Sequence, residues 1–179
     1  MERWRVSGDV VTAIDQFLTD HSCDAVAAFV YGSVATGQAG PTSDVDTFVL
    51  LARPLSGVAV QQLRSGFAEL QEHLGYTPDV AYPVELFTVQ QSQTALAGSE
   101  ISRAIHQACS HGKVSSDLAE SDAVEVLRAL LGARLTVRDS AQLDELTVRA
   151  NQVLTQHLRS ASAPPEREVL RALGIRGNN

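Results

Sequence analysis

The sequence predicts an α/β protein of the α+β kind, in which a small mixed sheet is flanked by helices and followed by an all-helical C-terminal part. Two observations carry this expectation. Short continuous apolar runs, AVAAFV and TFVLLA, are bounded by polar or glycine-rich stretches and have the length of strands buried on both faces. Around and after them, apolar residues recur at spacings of three and four, as in helices that bury one side.

The first helix is expected after Ser7, where Val10, Val11, Ile14, Phe17 and Leu18 share a face and Asp9 suits the positive end of the helix dipole. The run AVAAFVYGS then gives the first strand. GSVATGQAGPTS, rich in Gly, Ser and Thr, reads as a loop with room for one helical turn. DVDTFVLLA forms the second strand. Residues 55–74 place Val58, Val60, Leu63, Phe67, Leu70 and Leu74 at helical spacing, with Gly75 closing the helix. Residues 78–89 read as extended, but Pro83 cannot donate to a ladder, so the strand proper starts at Val84.

From about Gln93 the pattern is helical: Glu100 to Cys109, Ser121 to Val137, Ser140 to Leu158, and a short piece after Pro164 and Pro165. A soft boundary between Gly112 and Asp117 divides a core, 1–115, from a C-terminal helical region, 116–179.

A chain of 179 residues that is 44% hydrophobic can bury a real core. Its net charge of -7 disfavours nucleic acid as a partner, because phosphate backbones are met by Lys/Arg-rich faces. The N-terminus carries Glu2, Arg3 and Arg5 and no signal-peptide run, and no apolar stretch approaches the roughly 20 residues that span a bilayer. The expectation is a cytoplasmic protein with no membrane partner. Cys23 and Cys109 lack metal-ligand spacing and read as reduced thiols.

One segment concentrates chemistry. Tyr31, Gly32 and Ser33 end the first strand, a ten-residue loop follows, and Ser43-Asp44-Val45-Asp46 leads into TFVLLA. Alternation along an extended chain points Asp44 and Asp46 to one side, roughly 7 Å apart, with Val45 turned into packing. Two such carboxylates suit a hard divalent cation, with water and phosphate oxygens completing the shell. Glycine at a strand exit lets backbone approach a phosphate, and serine can donate to its oxygens. An Asp-x-Asp alone is common on solvated surfaces, but a pair opening an apolar strand has to find a partner or a metal.

The segment YGSVATGQAGPTSDVDTFVLL resembles the signature of the DNA polymerase beta-like nucleotidyltransferase superfamily, and its Tyr-Gly-Ser opening looks most like aminoglycoside adenylyltransferases and their bacterial relatives. The match is specific over 25–52 and looser to about 117. The resemblance implies a nucleotidyltransferase fold and in-line transfer of a nucleoside monophosphate, AMP from ATP, with two magnesium ions held by Asp44, Asp46 and a third carboxylate. Glu85, inside the apolar run PVELFTV, fits that third role better than Asp79, which Pro78 and Pro83 hem in; in the relatives a glutamate here is either ligand or base. Gly32, Ser33 and Ser43 would hold phosphate, with Lys113 a further candidate.

The expected acceptor is a small hydroxylated molecule, aminoglycoside-like given the acidity, in a pocket completed by a homodimer partner where the helical region is too short. The alternatives are a protein or tRNA acceptor, as in toxin–antitoxin nucleotidyltransferases with a helical protein partner, and a nucleotide-binding protein that keeps the fold without turnover. His106 and His111 read as ordinary residues of a helix end, and Arg128, Arg134, Arg138 and Arg149 as solvated stripes on tail helices, paired with Glu125, Asp139 and Glu145.

Overall fold

The computed structural model describes residues 7–21, 23–159 and 163–177. The N-terminal charges at Glu2, Arg3 and Arg5 lie outside the described residues. In chain order the elements are α1 (Ser7–Asp20), β1 (Ala25–Val30), α2 (Gly32–Ala35), β2 (Thr47–Leu51), α3 (Gly57–His73), β3 (Glu85–Thr88), α4 (Val89–Ala97), α5 (Ser99–His111), α6 (Ser116–Ala119), α7 (Asp122–Leu131), β4 (Leu135–Arg138), α8 (Ala141–Leu158) and α9 (Glu166–Ala172).

The strands form one mixed sheet in the order β3-β2-β1-β4. β1 runs antiparallel to both β2 and β4, whereas β2 and β3 are parallel. Val10, Ile14 and Leu18 of α1 and Leu63 and Phe67 of α3 pack with Ala28, Val30, Val49 and Leu51, so both helices cover one face of the sheet. Leu135 and Val137 of β4 join that core. On the opposite face Phe29, Phe48 and Phe87 stack across three strands, with ring centroids 5.2 and 5.3 Å apart. The other two phenylalanines, Phe17 and Phe67, belong to the core on the helical side.

The expected mixed sheet with flanking helices is observed, with one correction. The stretch 121–137, expected as a single helix, is divided: α7 stops at Leu131 and Leu135–Arg138 leaves the helical path to become β4. Phe29 pairs with Thr136 and Val30 with Leu135, and Arg138 ties the strand to α1 through Asp15 Oδ1 at 2.7 Å, the Asp15 carbonyl at 3.0 Å and Thr19 Oγ1 at 2.7 Å. Arg138 therefore belongs to β4, with Arg134 just before it, rather than to a tail helix, and Arg138 pairs with Asp15 of α1.

Two compact units result, interleaved along the chain. The first runs to Val89 and resumes over Ala133–Gln142; the second comprises Gln90–Gly132 and continues from Leu143. A division at 115 follows chain order, whereas packing returns 133–142 to the sheet and leaves α5 with the later helices. In the second unit the buried face of α5, Ile101, Ala104, Ile105 and Ala108, packs in a helical core with Val124 and Leu127 of α7 and Val169 of α9. Arg128 Nε donates to the Leu173 carbonyl at 2.7 Å and pairs with Glu125 as expected.

Candidate active site

The segment that carries the chemistry is assembled by the antiparallel pairing of β1 and β2. Val30 pairs with Thr47, and the Tyr31 amide donates to the Asp46 carbonyl at 2.9 Å, extending the ladder one residue beyond the strands. That hydrogen bond places the end of β1 directly against the Asp44–Asp46 segment. Immediately afterwards Gly32 takes φ +68° and the chain turns into α2.

Gly32 and Asp46 are in intimate contact. A Cβ built on Gly32 would collide with Asp46 Oδ2 and stand 2.9 Å from its Cγ, so only glycine leaves room for that carboxylate. Its positive φ independently favours glycine. The two halves of the motif, ten and more residues apart in sequence, therefore meet at van der Waals distance.

The aspartates lie just before β2 rather than inside it, since the regular strand starts at Thr47. Alternation still holds: Val45 is buried while Asp44 and Asp46 are partly exposed. Gln71, buried on α3, fixes this segment from behind. Its Oε1 accepts from the Val45 amide and its Nε2 donates to the Pro83 carbonyl, both at 2.8 Å. One side chain thus anchors the aspartate segment and the entrance to β3 together.

Ser33 is buried at the start of α2. Ser43 closes the loop: its hydroxyl accepts from the Gly40 amide at 2.9 Å and its carbonyl accepts from Thr77 at 3.0 Å. Glu85 opens β3 and pairs with Phe48 in the parallel ladder, which puts it on the same sheet face as Asp46 and one pleat step further along, roughly 8 Å away between Cα atoms. Asp79 lies outside the strand in an exposed turn, where its Oδ1 accepts from the amides of Ala81 at 2.9 Å and Tyr82 at 3.3 Å. Lys113 belongs to the second unit, exposed beyond the left-handed cap of α5 at Gly112.

Among the described residues no three His, Cys, Asp or Glu side chains converge into a ready-made metal cluster. The Asp44 and Asp46 carboxylates nonetheless fit magnesium, which is commonly held by one or two carboxylates with phosphate and water oxygens completing the octahedron. The contact between Asp46 and Gly32 keeps one of those carboxylates at the strand exit without an intervening side chain.

A mixed sheet in which Gly-Ser leaves the first strand and Asp-x-Asp leads into the second, with Gly32 against Asp46, is the arrangement of the polymerase beta type of nucleotidyltransferase. Comparison with known proteins agrees: residues 12–102 match the model of the nucleotidyltransferase domain, and the chain belongs to that family. Among solved structures, a toxin–antitoxin complex with AMP-PNP is 15% identical, with a TM-score of 0.47 over 84% of this chain and 90% of the other. A mutant of the toxin–antitoxin MntA-HpeT is 13% identical, with a TM-score of 0.46 over 87% and 91%. A tri-AMPylated Shewanella oneidensis HEPN toxin in complex with MNT antitoxin is 15% identical, with a TM-score of 0.44 over 87% and 91%. No match was found among curated proteins.

The signal for the site residues was the motif itself. Gln71 carries no such signal. A glutamine within an amphipathic helix looks like a solvated polar residue until long-range packing shows what it reaches.

Proposed function

We propose that this chain transfers a nucleoside monophosphate, AMP from ATP, to a hydroxyl acceptor. The observation that carries the reading is the seating of the Asp46 carboxylate against the Cα of Gly32, which brings the Gly-Ser turn and the acidic segment into contact. Asp44 and Asp46 would hold magnesium, which when bound neutralises phosphate charge and polarises the phosphoryl group under attack.

The chain's own residues divide the remaining work. Gly32 gives the triphosphate close access to backbone at the end of β1, with Ser33 beside it. Glu85 is offset from Asp46 along the same face, at a separation that leaves space for a reacting hydroxyl, and is assigned as the base that takes its proton. The acceptor oxygen then attacks the α-phosphorus in line and pyrophosphate departs. Ser43 holds the loop that delivers Asp44.

The test incubates the full chain with each labelled triphosphate and magnesium, and follows pyrophosphate release and label transfer. One arm supplies a panel of small hydroxylated compounds. A second supplies a helical protein partner encoded beside this chain, because toxin–antitoxin assemblies occur among the structural neighbours. Asp46→Asn is expected to keep the melting temperature and lower turnover by roughly a hundredfold or more, as for loss of a charge that stabilises the transition state. Wild-type turnover in that variant would remove Asp46 from the mechanism.

A further inference from the structure

Helix α8 carries two seams. One is buried, made of Leu143, Leu146, Ala150 and Leu154. The other faces outward: Glu145, Val148, Gln152, Thr155 and Arg159 recur at alternating spacings of three and four, and all are exposed. The Arg159 amide donates to the Thr155 carbonyl at 3.1 Å, so the helical path runs past Leu158 and keeps Arg159 on this seam. Such spacing draws a nearly straight line down a helix, the line along which two helices meet. Val148, 56% exposed, is the seam's apolar point. Asn151 and Gln156 flank it, and with Val148, Gln152, Thr155 and Arg159 they line an open concavity of about 500 Å3.

The outward seam is complementary to its own reverse. Glu145, next to Asp144, stands at its acidic end and Arg159 at its basic end, with Gln152 midway between them. A second copy laid antiparallel, with Gln152 over Gln152, brings Glu145 of each copy beside Arg159 of the other and Val148 beside the Thr155 and Gln156 side chains. A parallel arrangement would set Glu145 on Glu145 and Arg159 on Arg159, which like-charge repulsion opposes. Complementarity of a surface to its own reverse is the condition for a two-fold contact between identical chains, and a different protein would not require it.

We propose that the outward seam of α8 is the surface through which two copies of this chain associate, antiparallel about an axis at Gln152. One helix pair buries less surface than stable dimers do, so the association is weak and sets in at high chain concentration. The Gln152 amides at the axis both donate and accept, which fixes the register at some cost in affinity. The inference makes no use of the nucleotidyl-transfer reading and stands whether or not that reading does.

The experiment is sedimentation equilibrium of the full chain from micromolar to near-millimolar concentration. A monomer–dimer equilibrium that weakens with added salt is expected. Arg159→Glu and Glu145→Arg should each weaken the dimer by about tenfold, because a substitution acts twice in a two-fold contact and turns attraction into repulsion. Combining the two should restore wild-type association. Disulfide trapping under mild oxidation, read by mass spectrometry of the linked peptides, decides the matter if a charge variant does not fold. Gln152→Cys should link to its own copy, whereas Glu145→Cys and Arg159→Cys, each roughly 20 Å along the axis from its own copy, should link only when mixed. A chain that stays monomeric throughout, a dimer indifferent to both reversals, or reversals that the double exchange does not rescue would overturn the proposal. Self-linking of Arg159→Cys would overturn it as well, since it reports a parallel pair. A monomer whose Arg159→Glu variant loses binding of the protein encoded beside this chain would give the seam to that partner instead.

Discussion

At Gly32 a backbone requirement and a packing requirement coincide: φ is +68°, and the space a side chain would take holds the Asp46 carboxylate. Gly32→Ala therefore has to strain the backbone, by about 1–2 kcal/mol for a left-handed L-residue, and also to displace the carboxylate. The expected outcome is a lower melting temperature together with loss of triphosphate binding, measured by thermal denaturation with and without MgATP. Gly37, whose φ is also positive but whose Cβ would meet nothing within 4 Å, is the matched control: Gly37→Ala should pay only the backbone strain and retain the ligand response. Asp79 shows the opposite case at the same scale. Its sequence context made it a candidate ligand, yet its carboxylate closes the turn at 79–82, a common use of aspartate in loops.

Among the elements, α3 does more than cover the sheet, because Gln71 reaches from it to Val45 and Pro83. Gln71→Leu would leave a buried amide and a buried carbonyl without their partners, for a cost of about 2–4 kcal/mol. We expect a lower urea midpoint with an unchanged slope, and reduced turnover, because the same bonds set the aspartate segment in position. The elements nearest the site were also those most legible in sequence. β1, β2 and α3 are set by local patterns: unbroken apolar runs and a strong three-and-four spacing. β4 was not legible, because four residues following a helix carry no alternation long enough to read, and what makes Leu135–Arg138 extended is pairing with β1 a hundred residues earlier. Motif and strand context single out Gly32, Asp44, Asp46 and Glu85 as candidates, whereas nothing local marks Gln71, whose reach to Val45 and Pro83 comes from long-range packing.

Across the whole molecule the two thiols offer an independent view of each unit, Cys23 in the first and Cys109 in the second. Burial pushes both thiols above their ordinary range; at Cys23 the neighbouring Arg138 opposes that shift and Asp24 reinforces it. The folded chain thus holds these protons more tightly than the unfolded chain. The associated stability is complete below the unfolded thiol pKa and is lost as pH rises through the folded one. At pH 8 less thiolate is present in the folded state, so iodoacetamide should label both positions more slowly than in urea, as read by mass spectrometry of each peptide. Native-state labelling as fast as in the unfolded chain would contradict the burial at that site. Followed against urea, the two peptides give separate unfolding curves for the two units. Among the described residues no helix is long and apolar enough to cross a membrane.

The position of β4 also matters while the protein is being made. β1 is flanked by β2 and β4, so a nascent chain shorter than about 140 residues has the central hairpin but leaves one margin of β1 unsatisfied. Such a margin is a template for any extended chain nearby. Premature termination in the helical stretch would therefore release a product with an adhesive seam, which this chain seals with its own Leu135–Arg138.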